Sequence, residues 1–310
     1  MKNDRLEIYE KLQTFIKAWE SGDTDSIDET MLEAPFTNFS IFGPVYSREI
    51  LKYRLRGSCK GPVPSRFRLT NPVCRVQGDH AQQSAVLSGV FVDGSREDYL
   101  FCGMFVNSWV RTEKGWKISR LDFDLMDDNT AVITFDKKKR IHKTKHWEGG
   151  LALPDWNLIA DEAEVYDGCR LPSICGELQA PWLVIPEDTK DMTDEEAIRD
   201  LFYRYAFAVD LRTVSLLPDI FVDGAAMKLS TYGEFGREKG IQSLRWLKSK
   251  LGPRGLHAAD FTHIRMDDKF AEAVVKCDSP GIVNGTFELC AIKECGVWRL
   301  LSLTYIDFQL

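Results

Sequence analysis

The sequence predicts an α+β protein built from one plan written twice. Three observations predict it. An amphipathic helical stretch opens each half, DRLEIYEKLQTFIKAWESGDTDSI from Asp4 and TDEEAIRDLFYRYAFAVDLRTVSLL from Thr193. Strand-like alternation follows each stretch, interrupted by Gly-containing turns. Each half then closes on a Gly–Trp strand, GWKISRLDFDL from Gly115 and GVWRLLSLTYIDF from Gly296. A period this long marks a duplicated domain rather than a short-repeat solenoid. Helices first and an antiparallel sheet afterwards place the chain in the α+β class, with the sheet curled over the helices and a pocket between.

The elements follow in order. Tyr9, Leu12, Ile16 and Trp19 recur at three- and four-residue steps and define one face of the first helix. A second helix follows GPVYSREIL, which begins at Gly43. Alternating strands run from about Val63, turning at Gln77-Gly78-Asp79. In the second half Ile198, Leu201, Phe202, Tyr205, Ala208 and Val209 form the matching helical face, and Thr193 with Glu196 forms its capping box. YGEFGREKGIQSL from Tyr232 starts that half's second helix, and strands follow from about Gly255, turning at Asp267-Asp268. The predicted domains are 1–130 and 191–310, joined by a strap over 131–190. That strap holds Trp147, Trp156 and Trp182, too many tryptophans for a flexible linker, so it is expected to be ordered and mostly irregular.

Composition narrows the function classes. The chain has 310 residues, 44% of them hydrophobic and 28% charged, as in soluble globular proteins. A formal net charge of −7 disfavours non-specific nucleic-acid binding. The basic run KKKRIHKTKH, from Lys137, is flanked by acidic residues and reads as a solvated face. No apolar run approaches the length of a spanning helix, and the charged N-terminus lacks a signal-peptide core, so a cytoplasmic location is expected, with no membrane partner. The eight cysteines include no Cys-x-x-Cys pair and read as reduced thiols, with no metal site. Walker, Gly-x-Gly-x-x-Gly, Gly-x-Ser-x-Gly and His-Glu-x-x-His motifs are all missing, so no cofactor is expected.

The leading helix, the turn Gly233–Glu238, and the closing words Gly115-Trp116-Lys117-Ile118 and Gly296-Val297-Trp298-Arg299-Leu300 together resemble SnoaL-like domains of the nuclear-transport-factor-two-like superfamily. The resemblance covers both halves and leaves out the strap. It implies two cone-shaped α+β barrels arranged as a pseudo-dimer, further homodimerisation being left open, each with an apolar pocket for a small organic ligand. Dehydratases, isomerases, cyclases, hydrolases and binding proteins share this plan, so function has to be argued from residues.

Tyr205, Asp210 and His257 in the second half match, in order and approximate spacing, a Tyr–Asp–His trio of the bile-acid 7α-dehydratases. Dehydration beside a carbonyl needs a base for the α-proton, a donor for the enolate oxygen and an acid for the leaving hydroxyl. Histidine, oriented and charge-stabilised by a carboxylate, supplies the base, and a tyrosine hydroxyl supplies the donor. Each residue also has a structural explanation: Tyr205 lies on the apolar helical face, Asp210 stands where the helix ends, and His257 follows a glycine loop. On an ideal helix Tyr205 and Asp210 point about 140° apart, so they converge only from two sides of a pocket or at a helix end. Tyr232 and Phe261 are further candidates for substrate contact, on the strand before the Gly233 turn and on the face of His257.

The duplication supplies a control. Aligning the halves sets Phe15 against Tyr205, Phe67 against His257 and Glu20 against Asp210. Packing therefore tolerates phenylalanine where the second half has tyrosine and histidine. The expected function is a cofactor-independent lyase (dehydratase) or isomerase acting on a small apolar carbonyl compound of steroid, polyketide or aromatic type. The second half is the expected catalytic copy, and the first an inert copy with a smaller or closed apolar cavity. The alternative is a non-catalytic small-molecule-binding or assembly protein.

Overall fold

Two hydrophobic layers form in this chain, one in each half. The structure is a computed structural model and describes residues 3–40, 43–57, 65–93, 96–128, 133–136, 141–144, 173–188, 192–251, 256–277 and 284–307. It divides into two units, Met1–Cys175 with Gln179–Lys190, and Gly176–Leu178 with Asp191–Leu310.

In unit 1, α1 (Asp4–Ser21) starts at Asn3, whose side chain accepts from the Arg5 N–H, and stops at Gly22 in the left-handed conformation. Next come β1 (Met31–Phe39), β2 (Gly43–Val45) and α2 (Arg48–Gly57). A meander of four long strands completes the unit: β3 (Ser65–Gln77), β4 (His80–Asp93), β5 (Arg96–Thr112) and β6 (Gly115–Asp128). The sheet order is β2-β1-β6-β5-β4-β3. A short hairpin, β7 (Ile133–Asp136) with β8 (Ile141–Thr144), follows.

Unit 2 repeats this order. Helix α3 (Asp194–Asp210) carries the predicted capping box between Thr193 and Glu196. Then come β9 (Phe221–Leu229), β10 (Glu234–Gly236), α4 (Arg237–Leu251), β11 (Asp260–Met266), β12 (Phe270–Cys277), β13 (Gly285–Glu294) and β14 (Val297–Asp307). The sheet order is β10-β9-β14-β13-β12-β11. Both sheets depart from the all-antiparallel expectation at one place: β1 pairs with β6, and β9 with β14, in parallel. The last meander strand returns beside the first strand of its unit in the same direction, which side-chain alternation does not encode.

The correspondence extends to single contacts. Asp4, at the start of α1, accepts from Trp116 Nε1 (3.2 Å) and Arg111 (2.7 Å), with the guanidinium stacked on the indole. Asp194, at the start of α3, accepts from Trp298 Nε1 (2.8 Å) and Lys293 (2.7 Å). Each Gly–Trp strand is thus tied to the N-terminus of its helix, where a carboxylate is favoured. Gly103 leaves room for the Phe123 ring, as Gly285 does for Tyr305; a Cβ would fall 2.4 Å and 2.3 Å from those rings.

The end of the predicted strap packs on unit 1. Asp124 accepts from Ser173 (N 2.5 Å, Oγ 2.6 Å) and from Ile174 N (3.0 Å), and burial holds its carboxyl above the usual range. Asp188 pairs with Arg5 at 2.6 Å, and Trp182 is buried. Trp147, Trp156 and most of the basic run lie outside the described residues.

Candidate active site in unit 2

The site forms where α3 ends. Asp210 is its last residue, and the chain reverses through Arg212 with φ 60°. That reversal exposes the helix end to the segment Leu256–His257–Ala258–Ala259, all buried, which leads into β11. Asp210 grips this segment twice. Its Oδ2 accepts from the His257 backbone N–H (2.9 Å), and its Oδ1 lies 2.6 Å from His257 Nδ1. An ionised carboxylate here fixes the proton on Nδ1 and makes Nε2 the basic nitrogen of the ring.

Tyr205, one turn back on the buried face of α3, completes the cluster. Its ring centroid is 5.8 Å from that of His257, at 72°. Asp210, His257 and Tyr205 are 1%, 4% and 1% exposed. Burial first, and then the charge at Asp210, push the Tyr205 hydroxyl above its ordinary pKa, so it stays protonated and able to donate.

The convergence that ideal helix geometry disfavours is therefore met at the helix end. The further candidates fare differently. Tyr232 is not on a strand: β9 ends at Leu229, and Tyr232 sits in a 3₁₀ turn, 51% exposed. Phe261 lies one residue into β11, beside a bulge, and packs on Phe202, Tyr203 and Arg199 of α3. His257 precedes the strand, so simple alternation does not relate the two.

Sequence reasoning overlooked Phe287 and Tyr305. Phe287 lies 5.3 Å from His257 and 6.1 Å from Tyr205, and stacks on Tyr305 at 4.8 Å. Their signal was the register Phe287↔Tyr305, identical to Phe105↔Phe123 in unit 1. A separate surface groove of about 520 Å³, lined by Pro218, Val222, Arg237, Arg299 and Leu301 among others, shares only Phe221 with this ring cluster. Among the described residues, no three His, Cys, Asp or Glu side chains cluster as metal ligands, and no helix is long and apolar enough to cross a membrane.

The matching corner of unit 1 keeps the carboxylate and has phenylalanine at both ring positions. Glu20 Oε2 accepts from the Phe67 backbone N–H at 2.5 Å, as Asp210 does from His257. Phe15 stands in the place of Tyr205, and Trp19, buried among Phe39, Phe67, Phe101, Phe105 and Phe123, fills the centre.

Residues 2–122 match the family model of the SnoaL-like domain. Over those residues the first unit is similar to the SnoaL-like domain, and the second unit repeats the strand order and pairing of the first. Solved structures similar to the chain include the Kfla4162 protein of Kribbella flavida (21% identity, 41% of this chain and 93% of that one, TM-score 0.36). An NTF2-like protein with a cystatin-like fold from Novosphingobium aromaticivorans is similar at 18% identity, over 41% of this chain and 85% of that one, with a TM-score of 0.34. The CaMKII hub of S. rosetta is similar at 19% identity, over 38% and 93%, with a TM-score of 0.33. No curated protein sequence matches the chain.

Proposed function

We propose that unit 2 is a cofactor-independent lyase or isomerase for a small, largely apolar carbonyl compound. One observation carries the reading: a buried Asp210–His257 pair, made through two contacts, stands against a protonated Tyr205, and the SnoaL-like unit 1 has phenylalanine at both ring positions. His257 Nε2 takes the proton α to the carbonyl. The Tyr205 hydroxyl donates to the oxygen of the resulting enolate. Asp210 holds the Nδ1–H and stabilises the imidazolium. The enolate then collapses in one of two ways. A β-hydroxyl leaves with the proton returned from the imidazolium, giving the unsaturated carbonyl and water, or that proton returns to a different carbon, giving an isomer.

A second reading, a non-catalytic ligand-binding unit, draws on the near-complete burial of His257 and Tyr205 under Phe202 and Phe287. One experiment separates the two, because both reactions begin with removal of an α-proton. In D₂O, β-hydroxy and β,γ-unsaturated cyclic ketones are followed by proton NMR with the full chain. The enzyme reading expects deuterium at the α-carbon with the parent protein and none with His257→Gln. Ketones that bind without exchange establish the binding reading.

A further inference from the structure

A second difference between the units lies on the outer face of each sheet. Ile292 on β13 pairs with Arg299 on β14, one step beyond the buried Ala291 and Leu300, so alternation turns both away from the interior. In unit 1 the same register pairs Val110 with Lys117. The chain before each unit's first strand is also in register. Ile220 O accepts from Leu300 N, and Thr30 O from Ile118 N, both at 2.8 Å. Pro218 therefore stands where unit 1 has Asp28. Arg48 and Arg237 each open the second helix of their unit, α2 and α4.

Unit 1 fills this corner with a carboxylate of its own. Asp28 Oδ1 lies 2.9 Å from Lys52 Nζ and 3.1 Å from Arg48 Nε, and the Asp28 backbone oxygen accepts from Lys117 at 2.9 Å. Three cationic side chains converge on one residue. Unit 2 keeps two cations, Arg237 and Arg299, and has Pro218 for the aspartate and Ile241 for Lys52. A proline ring has no group to hold a guanidinium. At this corner lies the groove of about 520 Å³, lined by Pro218, Val222, Arg237, Ile292, Arg299 and Leu301 among others. Arg237 meets Asp223 at 2.5 Å, and Arg299 reaches Glu294 only at 3.9 Å. Both acids are exposed, so these pairs are weak and open to exchange.

We propose that this groove of unit 2 binds the carboxylate of a small organic acid, between Arg237 and Arg299, in the place that the Asp28 side chain takes in unit 1. The duplicate shows which group these cations accept. Planar guanidinium forks match the two oxygens of a carboxylate. Asp219, Asp223 and Glu294, exposed around the groove, repel a dianion such as phosphate more than a monoanion. Pro218, Val222, Ile292 and Leu301 offer apolar contact to a ring or short chain. The inference is independent of the α-proton chemistry proposed for the interior of unit 2, with which the groove shares only Phe221.

The test uses the full chain, with benzoate as the probe and benzamide as its neutral isostere, followed by NMR of the arginine Nε–H signals. Saturable shifts at Arg237 and Arg299 are expected with benzoate and not with benzamide. Pro218→Asp installs the carboxylate of unit 1 and is expected to abolish the response without lowering the melting temperature. Arg299→Gln removes one charge-assisted partner at an exposed position and should weaken benzoate about tenfold. Four results would overturn the proposal. One is arginine signals unmoved by benzoate, or moved equally by benzamide. Another is benzoate that shifts only the His257 ring signals, which places it in the interior. The third is inorganic phosphate displacing benzoate at equal concentration, which makes the groove an indiscriminate anion site. The fourth is a folded Pro218→Asp that binds benzoate as the parent does. Should that variant fail to fold, Arg299→Gln decides alone, and unchanged benzoate affinity overturns the proposal.

Discussion

The same corner is built in both units, and its rings differ. In each, a carboxylate at the end of the first helix accepts the backbone N–H of the residue that leads into the meander: Glu20 from Phe67, and Asp210 from His257. Among the described residues, Asp210 also holds a second group, the His257 imidazole. Beside it, Phe15 and Trp19 seal unit 1, where Tyr205 and Val209 stand in unit 2. The comparison separates two roles that sequence alone runs together. The carboxylate is architecture in both units, and in unit 2 it also holds an imidazole, the contact on which the proposed chemistry rests.

The largest expected effect is kinetic. Asp210→Asn keeps an acceptor for the His257 N–H but loses the charge that fixes the tautomer. It should lower turnover by about 10²–10⁴-fold, the usual share of acid–base catalysis, whereas Glu20→Gln should leave turnover unchanged. Steady-state rates on a ketone that exchanges in D₂O check both. Equal losses from the two variants would erase the distinction between the corners.

Stability comes next. Trp19→Ala removes the ring around which the aromatic cluster of unit 1 is packed, and should cost about 3–5 kcal/mol. Val209→Ala, at the matching place, should cost clearly less. Denaturant titration of both variants measures the gap; equal costs would mean that unit 2 is packed there as tightly as unit 1.

The helix-to-strand ties should show a smaller difference. Asp4 is buried and joined to Arg111 and Trp116, so Asp4→Ala should cost about 1–3 kcal/mol. Asp194, more exposed, should matter less. Its carboxyl is held below the ordinary range, chiefly by the hydrogen bond from Lys293 and then by that from Trp298. Its contribution is therefore present at neutral pH and lost as pH falls through that lowered pKa. Acid titrations of Asp194→Asn against the parent read it out.

The smallest effect is alkaline. The folded-state pKa of Tyr205 is raised, so folding favours its protonated form. Its contribution is complete below the ordinary tyrosine pKa of about 10 and declines as pH rises past it. Tyr205→Phe should flatten that part of the stability profile, and a profile that keeps its slope would place the titration elsewhere.

Much of the fold was legible because duplication doubles every signal. The helical faces and the closing Gly–Trp strands appear twice in one chain and take up matching positions. Strand direction was not legible, since alternation is the same for parallel and antiparallel neighbours; hence the pairing of β1 with β6 came only from the structure. At the site, residue types pointed to Tyr205, Asp210 and His257, but their meeting depends on the chain reversal at Arg212, a backbone feature without a sequence period. Tyr232 was misplaced because a 3₁₀ turn interrupts the alternation after Leu229. Gln82-Gln83-Ser84 reads as a polar surface run, and only the register with Asn107 turns Gln83 inward.

The central claim is that polar residues found in one unit only serve function rather than packing. Turnover and melting temperature measured together on His257→Gln and Tyr205→Phe test it most directly, because unit 1 shows that the corner folds with Phe67 and Phe15 in those places. The account predicts turnover lower by about 10²–10⁴-fold for His257→Gln, a lower turnover with little change in KM for Tyr205→Phe, and melting temperatures close to the parent for both. Variants that melt several degrees lower, yet process the same ketone at the parental rate, would contradict it.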